Sequence, residues 1–152
     1  MMEKSLILIK PDSLQRGLVG EIISRFEKKG LKLIGVKMVS LDDAVLEEHY
    51  YHLADKPFFG EIKDFMKSSP VVVLALVGGE GSVLAIRTLV GPTKGQEAPA
   101  GTIRGDFGLS GANNIVHASD SVENGASEIA RFFSTDELFE YEKTDSKHIY
   151  GN

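Results

Sequence analysis

Apolar residues along this chain follow two rhythms, and their alternation predicts its elements. Leu6-Ile7-Leu8-Ile9 and Val71 to Val77 are unbroken aliphatic runs bounded by turn residues, as buried strands are. Leu31 to Ser40 reads as a further strand, with Gly35 a candidate bulge. Val19, Ile22, Ile23 and Phe26 instead recur at helical spacing, with Glu21, Arg25 and Lys28 opposite and Gly30 as the stop. Asp42-Asp43 opens a helical stretch to about Leu53, Phe58 to Lys67 forms another, and Val83 to Val90 repeats the period after the turn Gly78-Gly79-Glu80-Gly81. Asn114 to His117 is the fourth strand. Asp120 and Glu123 stand at capping-box spacing before a helix that carries Ile129, Phe132 and Phe133. Lys10-Pro11-Asp12 reads as a turn, and the tail after Thr135 as surface wrapping. The stretch Gly91 to Asn113 has little periodicity, and a loop of that length is usually functional or disordered.

Strand, helix, strand, two helices, strand, helix, strand is a split βαβ order. It predicts a ferredoxin-like α+β fold over residues 1–152 as one domain: a four-stranded antiparallel sheet covered by helices, here expected on one face. With 152 residues and no cysteine, the chain has a core to bury and no disulfide framework. The apolar run before Lys10, Leu6 to Ile9, is only four residues long, too short for a signal peptide, and no run reaches membrane-spanning length; a soluble, cytoplasmic protein is expected. A formal net charge of −5 argues against a dedicated nucleic-acid binder while leaving room for a local basic pocket.

The chemistry concentrates in Asn114-Ile115-Val116-His117-Ala118-Ser119-Asp120-Ser121. A β-branched pair leads into a histidine, and helix-capping residues follow at once. An imidazole at a strand end, beside a helix N-terminus that favours phosphate, is set up to accept a phosphoryl group. An isolated histidine at a strand end is more often structural; this one sits inside a larger pattern. Two other motifs lead nowhere. Asp106-Phe107-Gly108 lacks the H-R-D loop and glycine-rich strand of a protein kinase, and Gly78-Gly79-Glu80-Gly81 is followed by no G-K-[ST].

The octapeptide resembles the active-site signature Asn-x-x-His-Gly-Ser-Asp of nucleoside diphosphate kinases. Lys10-Pro11-Asp12, Gln15-Arg16-Gly17-Leu18-Val19-Gly20, Glu48-His49-Tyr50, Lys56-Pro57-Phe58-Phe59, Pro70-Val71-Val72 and Gly101-Thr102-Ile103-Arg104-Gly105-Asp106-Phe107 resemble that family in its order and spacing. The resemblance implies the same fold and a ping-pong transfer of the γ-phosphate of a nucleoside triphosphate, typically ATP, to a nucleoside diphosphate. The intermediate is a pros-phosphohistidine at His117. It implies Glu128 as the carboxylate orienting the imidazole, Ser119 as a supporting hydroxyl, and Tyr50 near the γ-phosphate. Lys10, Arg87, Thr93 and Arg104 are implied for the phosphate chain, Asn114 with Lys10 for the ribose, and Phe59 for base stacking with Phe58 in the core. Lys10 also ends a buried strand, where its charge would be awkward without an anionic partner. Mg²⁺ is implied as a cofactor carried mainly by the nucleotide phosphates, with no protein cage. His49 and His52, three apart on a helix, are read as solvated. A homo-oligomer is implied, and a tail running on through His148 to Asn152 favours a hexamer over a tetramer.

The chain departs from the family pattern at three glycine-related positions. Ala118 replaces the usual glycine, at a cost if that backbone requires positive φ. Gly111 replaces an apolar residue against the base, and Gly95 stands where many members carry the proline of the long loop, which would loosen that loop. Ala118 and Gly111 are the support for a second reading, a catalytically weak nucleotide-binding subunit. The acidic balance and the absence of an aromatic-rich RNP strand oppose a third, an RNA-binding module.

Overall fold

The computed structural model describes residues 1–151. Strands β1 (Glu3–Ile9), β2 (Lys32–Val39), β3 (Val71–Gly78) and β4 (Val116–Ala118) make one sheet in the order β2-β3-β1-β4, every neighbouring pair antiparallel. Between and after them run α1 (Pro11–Gln15), α2 (Val19–Lys29), α3 (Asp43–His49), α4 (Phe59–Lys67), α5 (Ser82–Val90), α6 (Ile103–Phe107), α7 (Val122–Phe132) and α8 (Ser146–Tyr150). Crossing from β1 over β3 to β2 on one side and pairing β1 with β4 on the other is the split βαβ topology expected from the element order. The bulge falls at the predicted place, between Leu33 and Gly35. Gly30 ends α2 in the left-handed region at φ +105°.

Helices cover both faces of the sheet, not one. Ile7, Ile9, Leu74 and Leu76 pack against Ile22 and Phe26 of α2 and Ile86 and Val90 of α5. Their neighbours Leu6, Leu8, Val73 and Ala75 pack the opposite way, against Leu46 of α3, Met66 of α4 and Ile129 and Phe132 of α7. The cause is visible in the aliphatic runs: all eight positions of β3 are buried. A strand apolar at every position, not every second one, needs cover on both sides.

Three local expectations are corrected by hydrogen-bonding groups. Lys10-Pro11-Asp12 is not a free turn: Pro11 is the first residue of α1, where its missing N–H costs nothing. The cap of α7 is Ser121, which accepts from Asn124 N at 3.1 Å, while Asp120 accepts from the Asn124 side chain at 2.5 Å. The stretch Gly91 to Asn113 contains a 3₁₀ turn at Gly95–Glu97 and then α6, capped by Thr102 through Gly105 N at 2.9 Å. Gly95 does not loosen this segment. It is buried, and the backbone of Gly108 occupies the space a Cβ would take.

The tail wraps the surface as expected, with Tyr141 Oη donating to Leu33 O at 2.6 Å and Tyr150 Oη accepting from Gly79 N at 3.0 Å. Two contacts set the helices that carry functional groups. The Glu3 carboxylate accepts from Gly81 N and Val83 N at 2.9 and 2.8 Å, pinning the start of α5 to β1. On the other face, α7 lies so close to β1 that a Cβ at Gly125 would overlap the Lys4 carbonyl oxygen. Gly125→Ala is therefore expected to destabilise the fold by about 1–3 kcal/mol in urea unfolding, the usual range for overpacking. Gly60→Ala in α4, with open space around it, is expected to be neutral or up to about 1 kcal/mol stabilising.

Candidate active site

His117 is the middle residue of β4, opposite Leu8 in β1. The strand begins two residues later than its sequence pattern predicts, because the chain turns sharply at Ile115. Val116 N donates to Asn114 O at 2.8 Å around Ile115, whose φ is +77°. That is a γ-turn of the positive-φ kind, strained for a β-branched residue by about 1–3 kcal/mol. The strain is held in place from the β1–α1 junction. Asp12 Oδ2 accepts from Ile115 N at 3.1 Å, and Ile115 O accepts from Lys10 N at 3.0 Å and Ser13 Oγ at 2.7 Å. The fully buried Ile115 side chain anchors the turn from below.

The turn sets Asn114 beside Lys10, whose Nζ donates to Asn114 Oδ1 at 2.6 Å. Burial pushes the Lys10 ammonium down to about 8, and the neighbouring Arg104 charge pushes the same way. Arg104 is buried. Its guanidinium donates to the carbonyls of Asn114, Gly91 and Val116 at 3.0, 3.0 and 2.6 Å. Burial, then Arg87, bring Arg104 down to about 10. Asp12 offsets the Lys10 charge in part, but among the described residues neither Lys10 nor Arg104 has an ion-pair partner, an arrangement suited to a polyanion.

His117 Nε2 lies 2.9 Å from Glu128 Oε2, one turn past Gly125 on α7. A carboxylate accepts only, so Nε2 carries the proton and Nδ1 keeps its lone pair. Burial raises the Glu128 carboxyl. The hydrogen bond and charge of His117, the Ser119 hydroxyl and His49 outweigh it, and the net direction is down, toward the ionised form. Ser119 itself is buried and occupied with β1, accepting from Leu6 N at 2.9 Å.

A cavity of about 720 Å³ opens in front of His117, lined among others by Lys10, Tyr50, Phe58, Arg87, Thr93, Arg104, Gly111 and Asn114. An adjoining one of about 420 Å³ shares Tyr50, Arg87 and His117 and reaches Glu128 and Arg131. Burial, then the Glu128 charge, push the Tyr50 phenol up to about 12, so it stays a donor. Arg87 also donates to Ala118 O at 3.3 Å, and Thr93 O accepts from Asn114 Nδ2 at 3.4 Å. All the residues expected on the phosphate and ribose thus border one space.

Phe59 does not. It is 7 % exposed, whereas Phe58 is 43 % exposed and lines the large cavity. The expectation is reversed by helix geometry: Phe59, Ile62 and Met66 share the inward face of α4, while Phe58 lies just before its first turn. His49 is also not solvated. It is 5 % exposed, edge-on to His117 with ring centroids 4.7 Å apart. Leu46 marks the buried face of α3, and three residues on is the same face; that spacing was the available signal. His52, by contrast, is exposed. Ala118 carries no penalty, since Ile115 is the only non-glycine residue with positive φ among the described residues.

Among the described residues the one group with metal-ligand composition is His49, His117 and Glu128. Its imidazoles are soft for a hard cation that prefers oxygen, and its carboxylate is bound to His117. A magnesium ion accompanying a nucleotide would be held by phosphate oxygens and would serve to neutralise their charge.

Burial, followed by the His117 charge, drives His49 from the usual 6.5 down to about 3, although Glu128 opposes this. Below the usual value the unfolded chain takes up a proton that the folded chain refuses. Stability should therefore fall as the pH drops from about 6.5 toward 3, with no contribution from this group above that window. Denaturant midpoints measured at about pH 7 and pH 5 should differ less in His49→Phe than in the wild type.

The family model described as "Nucleoside diphosphate kinase" matches residues 3–138. A nucleoside diphosphate kinase of Parabacteroides distasonis is 52 % identical over 151 residues, covering 99 % of this chain and 98 % of that one. One from Archaeoglobus fulgidus is 48 % identical over 149 residues, covering 98 % of each. Among solved structures, a halophilic nucleoside diphosphate kinase from Halobacterium salinarum in complex with CDP superposes with a TM-score of 0.94 at 39 % identity, covering 99 % of both chains. A nucleoside diphosphate kinase family protein from Babesia bovis gives 0.93 at 45 % identity over 97 % of this chain and 99 % of that one. With His117 and Glu128 paired before a cationic cavity, and kinship running the length of the chain, this protein belongs to the nucleoside diphosphate kinase family.

Proposed function

We propose that the chain, as a single domain, moves the γ-phosphoryl group of a nucleoside triphosphate to a nucleoside diphosphate through His117. The observation that carries this reading is the 2.9 Å bond from His117 Nε2 to Glu128. It leaves Nδ1, the pros nitrogen, bare, and His117 borders the same cavity as Lys10, Arg87 and Arg104. In the first half-reaction the Nδ1 lone pair attacks the γ-phosphorus. The bond to the β–γ bridging oxygen breaks, and its electron pair leaves with the diphosphate. In the second, a terminal β-oxygen of another diphosphate attacks the same phosphorus, the N–P bond breaks, and its electrons return to Nδ1. Glu128 balances the positive charge that the ring carries between the two halves, and Ser119 supports that carboxylate.

Arg87, Arg104, Lys10 and Thr93 are the groups for the phosphate chain. Of the five N–H donors of Arg104, three already hold backbone carbonyls, so its position is fixed before any phosphate arrives. Tyr50 stands near the γ-phosphate with its proton secured. Asn114 and Lys10 take the ribose hydroxyls. Phe58, not Phe59, is the platform for the base; a ring face accepts any base, and Gly111 leaves the opposite wall open. The location read from the sequence, cytoplasmic, fits a chain in which no described helix is long and apolar enough to cross a membrane. A homo-oligomer, hexameric rather than tetrameric, is supported by the tail that continues into α8 and by the exposed Val36 and Met38 on the edge strand β2.

Two measurements test this reading. Intact-protein mass spectrometry after incubation with ATP and magnesium should show one acid-labile phosphoryl group, discharged by GDP and absent from His117→Ala. A wild type that binds nucleotide and gains no phosphoryl group refutes it. Phe58→Ala should raise KM roughly tenfold with the fold intact, the loss of one base-stacking contact. Phe59→Ala should instead destabilise the fold by about 3–5 kcal/mol. An unchanged KM in Phe58→Ala would remove that residue from the site.

A further inference from the structure

Arg131 lies three residues beyond Glu128 on α7 and borders the smaller cavity. Its Nη1 donates to His49 Nδ1 at 3.0 Å, and its Nε stands 3.3 Å from Glu48 Oε1. A guanidinium has donors and no acceptor, so the ring nitrogen it meets must be the bare one. The proton of neutral His49 then sits on Nε2. That choice bears directly on the His117 pair, because His49 Nδ1 is also 3.5 Å from Glu128 Oε2, the oxygen that serves His117. A proton on His49 Nδ1 would find its acceptor in that oxygen and compete with His117 for it.

We propose that Arg131 is a positioning residue: by holding His49 in its Nε2–H tautomer, it reserves Glu128 Oε2 for His117 Nε2 and so keeps the nucleophilic nitrogen bare and aimed. The proposal rests on His117 being the nucleophile. Packing supports it, since the His49 ring is clamped edge-on between His117 at 4.7 Å and Phe132 at 5.4 Å and cannot easily turn its other edge to Glu128. His49 is also held neutral down to about pH 3, so tautomer rather than charge is the variable that Arg131 controls. His49 Nε2 has no hydrogen-bond partner among the described residues. The alternative tautomer would leave that nitrogen equally alone and would set two donors face to face at Nδ1.

The test combines nitrogen-edited NMR of the imidazoles with single-turnover phosphoryl uptake from ATP. In the wild type His49 should show a bare Nδ1; a proton there overturns the proposal, and this reading requires no variant to fold. In Arg131→Met the proton should move to Nδ1, and uptake should slow roughly tenfold with little change in KM, as expected when one hydrogen bond to a charged group is diverted. Arg131→Lys, which keeps a donor, should regain most of the rate. In a His49→Phe background, where position 49 has no proton to offer, Arg131→Met should cause no further loss. Equal slowing in both backgrounds would mean that Arg131 acts on substrate directly, and the proposal fails. Absence of uptake in the wild type would instead refute His117 as nucleophile, and the tautomer measurement would still decide the role of Arg131.

Discussion

A carboxylate that is 8 % exposed persists as an anion only if hydrogen bonds replace the water it has lost, and in this protein His117 Nε2–H supplies one to Glu128. Much of the site follows from that constraint. The two residues are on different elements, so the bond exists only if α7 sits at one height over the sheet. Gly125 allows that height by removing the side chain that would meet β1, and the Ser121 cap starts the helix in register. The exchange is mutual: the carboxylate gains a partner, and the imidazole is left with one orientation and one free nitrogen.

The opposite wall of the site solves a harder electrostatic problem. Lys10 feels the charge of Arg104, which Asp12 only partly offsets, and Arg104 in turn feels Arg87. Such a cluster would drift apart if its members were free. Here Arg104 is tied to the carbonyls of Gly91, Asn114 and Val116, and Lys10 to Asn114, which the γ-turn at Ile115 presents. The strained turn is thus the device that gathers the cations. Its cost is met by hydrogen bonds with Asp12, which accepts, and Lys10 and Ser13, which donate, all on a separate part of the chain.

Where the sequence misled, one cause recurs. Pattern reading assigns a residue to a face from its neighbours, and errors arise where an element begins or where a polar residue sits on an apolar stripe. Phe58 and Phe59 are adjacent aromatics at a helix start, so the first turn of α4 decides which of them faces inward. His49 looks polar and therefore solvated, yet it stands on the buried stripe of α3. Ala118 looked costly only on the assumption that its backbone resembles a glycine's; the positive φ falls three residues earlier, at Ile115.

By itself the sequence determined the order of the strands and the longer helices, the sheet topology that follows from it, and the chemistry, because aliphatic runs, helical periods and the Asn114 to Ser121 motif are local and carry their meaning in residue type. Through resemblance it also carried Lys10, Tyr50, Arg87, Thr93, Arg104, Asn114 and His117 of the large cavity, but not Phe58. Only the tertiary structure decided that helices cover both faces, that the strand begins at Val116, and that His49 and Arg131 stand behind the His117–Glu128 pair. Those features depend on which backbone or side chain from a distant segment fills a given space. Arg131 and His49, 82 residues apart, share a hydrogen bond that no spacing along the chain announces.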